Sequence, residues 1–185
     1  LHVFTYSSLT KKIKNEDFKV DLVWGLTSSN PFGTTIRRIA INKDYSRILI
    51  RNSWKCRQNL ESSMKDFNRS CKNHRFSFEN RFSNLKNISF EYSWGGRVCL
   101  SMNGVPAFGE IDENLFVACC SNGLGTIKGT LGGKLIVDKA CLSNTPQIDK
   151  FEKNEQPSKL PPSFITQIGA NLKIKSKELV AGKDL

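Results

Sequence analysis

Asn122-Gly123-Leu124-Gly125 stands where an apolar run, Asn114 to Cys120, gives way to a helical pattern that continues to about Leu142. The apolar run reads as a strand buried on both faces. A strand, a glycine-bearing turn and a helix N-terminus together make an anion or cofactor site. The first N–H groups of a helix lack intrahelical partners, and the helix dipole favours negative charge there. Gly123 and Gly125 alone do not complete a dinucleotide fingerprint, because Lys128 stands where the third glycine belongs and Gly129 comes one residue late.

Gly125, Gly129 and Gly133 recur at i, i+4, i+8 along this helix. Glycine costs roughly 1 kcal/mol against alanine at each interior helix position, so three in register need a reason. One reading is close approach of that face to another backbone or a flat ligand. The alternative is a tightly packed glycine-rich helix with no ligand. A membrane dimer face is excluded by Lys128, Lys134, Asp138 and Lys139.

Other chemistry-bearing residues argue for less. The six cysteines, 56, 71, 99, 119, 120 and 141, include no C-x-x-C pair. They read as buried, reduced thiols in a cytoplasmic protein rather than a zinc site or a disulfide framework. The two histidines, His2 and His74, lie far apart and give a Cys-His nucleophile little support. The net charge of +11 raises polyanion binding, but the basic residues are dispersed and carry no aromatic-basic or zinc-finger signature. No apolar run is long enough to span a membrane, and the N-terminal residues do not form a signal peptide. The absence of an initiator Met suits a fragment or a processed chain.

The elements that must position the glycine turn follow from pattern. Ile88 to Leu100 reads as a strand, and Asn103-Gly104 with Pro106 as a turn. Phe18 to Leu26 alternates as a strand does, and Ser28 to Pro31 is a turn. Thr34 to Ile41 and Ser46 to Asn52 form a hairpin about Asn42-Lys43-Asp44. Within it Arg37, Arg38, Arg47 and Arg51 alternate with apolar residues and read as a solvated face. The alternative places one of them near an anionic substrate group. Leu60, Met64, Phe67 and Cys71 are spaced for an amphipathic helix over 59–72, followed by Phe76, Phe78 and Phe82 as core residues. Ser143 to Ser158 reads as a polar linker, and Phe164 to Lys177 as a terminal basic helix behind Leu160-Pro161-Pro162.

One block of these residues carries a resemblance. Tyr92-Ser93-Trp94-Gly95-Gly96, Asn103-Gly104-Val105-Pro106 with Phe108-Gly109, Asn114-Leu115-Phe116-Val117, Asn122-Gly123-Leu124-Gly125 and Lys128-Gly129-Thr130 follow in order at suitable spacing. The block resembles the C-terminal half of the FAD-dependent amine and amino-acid oxidoreductases of the D-amino-acid oxidase superfamily, near its gamma-glutamylputrescine oxidase, glycine oxidase and sarcosine oxidase groups. The resemblance implies an α/β (α+β) fold. An antiparallel substrate-domain sheet with helices would occupy 1–100. The C-terminal strand-helix return of a Rossmann-like FAD-binding domain would occupy 101–145, with a linker and basic helix over 146–185. The family's N-terminal βαβ unit, with G-x-G-x-x-G and a ribose-binding acid, is missing.

The implied activity is oxidation of a C–N bond in a small amine or amino acid, with hydride transfer to flavin and oxygen or another acceptor taking the electrons. Ser121, Asn122, Gly123, Leu124, Gly125 and Thr126 would meet the flavin ring of FAD. Trp94 and Arg97 are candidate substrate residues. In glycine oxidase-like members the carboxylate-gripping Arg lies four residues after the Trp; here Arg97 is three after Trp94 and Val98 takes the fourth place. The position of the covalent flavin cysteine of sarcosine oxidase-like members falls on Gly96, three before Cys99, which disfavours a covalent link. Two other classes stand beside this reading: a non-catalytic binding module that keeps the sheet, and a basic nucleic-acid-binding protein.

Overall fold

A computed structural model of the chain describes residues 1–18, 23–30, 32–57, 59–143, 145–153 and 155–182. The chain divides into two compact units, Phe4–Arg97 with Gln167–Leu185, and Leu1–Val3 with Val98–Thr166.

The strands of the larger unit are β1 (His2–Thr10), β2 (Ile13–Lys14), β3 (Gly25–Thr27), β4 (Thr35–Ala40), β5 (Tyr45–Cys56) and, after helix α1 (Met64–Arg81), β6 (Phe90–Cys99), with the strand ends at residues 2–3 and 98–99 belonging to the smaller unit. They form one sheet in the order β3-β4-β5-β1-β6, with β2 paired to β5. The predicted hairpin is present as antiparallel β4 and β5, with Ile36 opposite Ile50 and Arg38 opposite Ile48. Asn42 shapes its turn, its Oδ1 accepting the N–H groups of Asp44 and Tyr45 at 2.9 and 2.8 Å. Of the strand expected over 18–26, the described part is β3, shorter and displaced towards Thr27; residues 19–22 lie outside the described residues, as does Pro31 of the following turn.

Helix α1 lies against β5 and closes the core. Ile13, Ile36, Ile48, Ile50, Phe78 and Leu85 are buried together there, with Phe82 and Phe90 packed on them. The helix starts later and runs further than its spacing predicts. Ser63 sets the start, its side chain accepting the Asp66 N–H at 3.1 Å, a typical N-cap. Small polar residues carry the helix on, with Ser70, His74 and Ser77 buried alongside Phe78. Phe78 and Phe82 are core residues as expected, whereas Phe76 is 65% exposed.

Arg38 corrects the reading of the arginines as a solvated face. It shares the buried side of β4 with Ile36, as strand alternation requires. Its Nε donates to Ser46 Oγ at 3.2 Å and its Nη2 to Asn15 Oδ1 at 3.1 Å, and the guanidinium lies 4.1 Å from the Phe18 ring centre. Arg47 is also largely covered, in an ion pair with Glu91 at 2.7 Å. Arg37 alone of the four is exposed.

The smaller unit holds β7 (Ala107–Asp112) and β8 (Leu115–Cys119), paired antiparallel as a two-stranded sheet. Helix α2 (Thr130–Ala140) and helix α3 (Pro146–Glu152) pack on it, burying Phe108, Leu135 and Ile148. Helix α3 stands inside the stretch expected to be a linker. Thr145 caps it, accepting the Ile148 N–H at 3.3 Å, with Pro146 in the first turn. The expectation of a strand buried on both faces is also corrected. Leu115 and Cys119 are exposed and Phe116, Val117 and Ala118 half-buried, because β8 pairs only with β7 among the described residues and helices cover one side. Helix α4 (Ser163–Ala181), which from Gln167 onward belongs to the larger unit, is the predicted terminal helix, longer by several residues.

Candidate functional site

The glycine turn joins β8 to the helix. Cys120, Asn122 and Gly123 adopt positive φ of 59, 53 and 83°. Asparagine tolerates this region better than most residues, and at Gly123 the absent Cβ removes the strain. The Asn122 side chain builds the turn rather than waiting for a ligand. Its Oδ1 accepts the Ser101 N–H at 2.8 Å and the Ser101 hydroxyl at 3.2 Å, while its Nδ2 donates to the Cys120 carbonyl at 2.8 Å. The Leu124 N–H closes the turn on the Ser121 carbonyl at 3.0 Å.

The helix begins at Gly125, where the sequence places it, but its first turn is a π-turn over Gly125–Gly129 that passes into α2. No side chain caps this start. Single π-turns widen a helix by one residue and occur often at functional sites. That extra residue breaks the i, i+4, i+8 register, so Gly125, Gly129 and Gly133 do not form one close-packed face. A Cβ on Gly125 or Gly133 would meet open space, and one on Gly129 only Ser121 Oγ at 3.8 Å. The closely packed glycine is Gly132, whose Cβ would lie 3.5 Å from that of Ala118 on β8. Leu124 and Ile127 flank the open turn and are 55% and 74% exposed. The arrangement is an uncapped helix start with room for a flat group beside it.

The cysteines correct their reading as buried thiols. Among them Cys56 is buried, while Cys99, Cys119 and Cys141 are exposed. All six are free. Among the described residues no cluster of three or more His, Cys, Asp or Glu is placed to hold a metal ion. No helix among them is long and apolar enough to cross a membrane.

Trp94 and Arg97 lie on β6 in the larger unit, and Ser121–Thr126 belong to the smaller one. Both are exposed. Three residues along a strand, they project to opposite faces. Gly95 between them is required by packing, since its Cβ would stand 3.0 Å from the buried Tyr6 ring. Tyr92 shares the side of Trp94 by alternation, and the Arg47 guanidinium sits 5.5 Å from its ring centre. The Arg47, Glu91 and Tyr92 group escaped sequence reasoning. The alternation of the hairpin arginines was its one visible sign, without a partner attached.

His74 was also missed as a structural centre. Its Nδ1 lies 2.7 Å from Ser8 Oγ, which in turn lies 2.8 Å from Ser93 Oγ. Ser8 and His74 are fully buried, so no substrate reaches the pair. Burial lowers the imidazole pKa to about 4 against the opposing pull of its backbone hydrogen bonds. A separate cavity of about 420 Å3 lies between β5, α1 and α4. Its polar groups already serve the fold: Glu178 accepts the Trp54 N–H, Asn171 pairs with the Cys56 backbone, and Asp66 is bound to Arg57.

The offset of Arg97 from Trp94, three residues where the resemblance requires four, gives the expectation that Arg97 is not a carboxylate clamp. If the full-length protein oxidises an amino acid, as the resemblance implies, Arg97→Ala should change the Michaelis constant less than about threefold, because a lost charge-assisted hydrogen bond to a substrate carboxylate, worth about 1.5–3 kcal/mol, would raise it far more. A rise of about a hundredfold, with folding intact, would assign Arg97 the substrate carboxylate.

No family model matches the chain. Over 77 residues it is 29% identical to "Probable oxidoreductase OrdL" of Haemophilus influenzae, a match covering 42% of this chain and 18% of that protein. Its structure is similar to that of glycine oxidase from Geobacillus kaustophilus, with a TM-score of 0.58 and 18% identity, over 87% of this chain and 40% of that one. The chain thus spans less than half of either relative. Its antiparallel sheets and packed helices make an α/β (α+β) structure with a glycine oxidase-like fold.

Proposed function

We propose that these 185 residues are the C-terminal portion of an FAD-dependent oxidoreductase that oxidises a C–N bond of an amine or amino acid. The observation that carries this reading is the uncapped helix start behind the Ser121–Thr126 turn, with open space at Gly123 and Gly125. The fit to a flavin ring is good on these grounds. A side chain at Gly125 would project into the space a ring would need, and among the described residues no atom lies within 4 Å of a Cβ built there. The name of OrdL and the glycine oxidase-like fold support the same class.

A bound flavin supplies a two-electron acceptor at the substrate's C–N carbon. The chain's own part is to orient and to stabilise. The N–H groups of the first helical turn would face the anionic edge of a bound ring, and the helix dipole would add a fixed positive potential there. Asn122, tied to Ser101 and Cys120, holds those donors in place so that little reorganisation is needed on binding. Leu124 and Ile127 offer apolar surface that excludes water once covered. In the larger unit, Trp94 and Tyr92 offer an aromatic face to a substrate. The pyrophosphate and ribose require a second helix N-terminus and an acid, which we assign to polypeptide outside these residues.

Two measurements test the proposal. The isolated chain should show no saturable FAD binding in equilibrium dialysis at micromolar concentration. Its few N–H contacts contribute about 1 kcal/mol each, less than the several kcal/mol that association costs. The full-length protein should be yellow and release its flavin into the supernatant on acid precipitation. A colourless full-length protein that takes up no FAD would overturn the reading, and colour kept in the pellet would overturn non-covalent attachment.

A further inference from the structure

The geometry points to Cys99 and Cys120 as a peroxide-sensitive dithiol, in which an exposed thiol and a half-buried resolving thiol close a disulfide across the foot of the glycine turn. Their sulfur atoms lie 3.5 Å apart in the free state. A disulfide needs them at about 2.05 Å, a short approach for two side chains. The backbone segments are already held side by side two residues further on, where Asn122 binds the Ser101 N–H and hydroxyl. Both cysteines belong to the same compact unit. This pairing does not depend on the flavin reading.

Exposure sets the order of reaction. Cys99 is exposed and meets the oxidant first, whereas Cys120 is half-buried. Burial, then its hydrogen bond to Cys99, pushes the Cys120 thiol up to about 11, so it waits protonated. The Cys99 thiolate attacks one oxygen of a hydroperoxide and the O–O bond breaks. The alcohol leaves, or water in the case of hydrogen peroxide, and Cys99 becomes a sulfenic acid. Cys120 then gives up its proton and attacks the Cys99 sulfur, and the hydroxyl departs as water. Two thiols lose two electrons, one peroxide gains them, and one disulfide forms. The bond ties Cys120, immediately before Ser121, to the end of β6 and fixes the turn.

Glutamyl endopeptidase separates the partners by cutting after Glu110 and Glu113. Hydrogen peroxide treatment of the folded, reduced chain should join the Cys99 peptide to the Cys119-Cys120 peptide through a reducible link, at least about tenfold faster than in concentrated urea. Cys119→Ser should keep the link. Cys120→Ser should lose it and expose a Cys99 sulfenic acid that dimedone traps, with an unchanged circular dichroism spectrum as the check on folding. Amide exchange over 121–126 should slow in the oxidised chain. A link that survives Cys120→Ser, one lost in a folded Cys119→Ser, or one that forms no faster in the native chain than in urea would overturn the assignment.

Discussion

Lowering the pH from about 6.5 to about 4 should cost the larger unit about 3 kcal/mol through His74 alone. The folded imidazole has its pKa lowered to about 4 by burial, whereas an exposed histidine titrates near 6.5. The unfolded chain therefore binds more protons between those values, and stability rises with pH across the window. The contribution is complete above about 6.5 and is lost as pH falls towards about 4. Asp66 acts in a lower window. Burial raises its carboxyl, but hydrogen bonds from Arg57 and Ser63 outweigh that and hold it below the usual range, so its contribution is lost only as pH falls further. The tryptophans, Trp24, Trp54 and Trp94, all lie in the larger unit, so their fluorescence follows its unfolding in urea. His74→Gln should flatten the dependence between pH 6.5 and 4. A wild-type midpoint that does not move over this range would contradict the assignment.

Phe78→Ala should destabilise the same unit by about 3–5 kcal/mol. The ring is fully buried between Phe82 and Phe90, with centre distances of 5.1 and 5.6 Å, over the isoleucines of β4 and β5. Removing it forfeits burial and leaves a cavity in a close-packed interior. Phe76→Ala, two residues away on the exposed side of α1, should change stability by less than about 0.5 kcal/mol. Urea unfolding of the two variants checks this, and equal losses would contradict the placement of the core.

These two phenylalanines show what the sequence makes legible. Phe76, Phe78 and Phe82 look alike as composition, and the helix register that separates them was hidden. The visible apolar spacing ended at Cys71, while buried serines and His74 extend the helical face to Arg81. Polar residues that bury themselves by pairing, as Ser8 does with His74 and Arg38 with Asn15 and Ser46, leave no hydrophobic period to read. The β4–β5 hairpin was legible because its alternation is strict and its turn residue is Asn42. Thr145-Pro146 is a good cap signal, but the polar residues around it give helix α3 no apolar period to read. The strand-turn-helix order around the glycine turn was readable from residue type alone. Its π-turn was not, since the inserted residue changes facing without changing composition, and the glycine face inferred from spacing dissolved with it.

The central claim is that the space beside Gly125 receives the flavin ring. Gly125→Val tests it with little cost to the fold, because the added side chain meets open space and the change in helix propensity is a few tenths of a kcal/mol. In the full-length protein that the proposal requires, FAD affinity measured by flavin fluorescence titration should fall by about a hundredfold or more, while the urea midpoint stays where it was. An unchanged FAD affinity in the folded variant would contradict the claim.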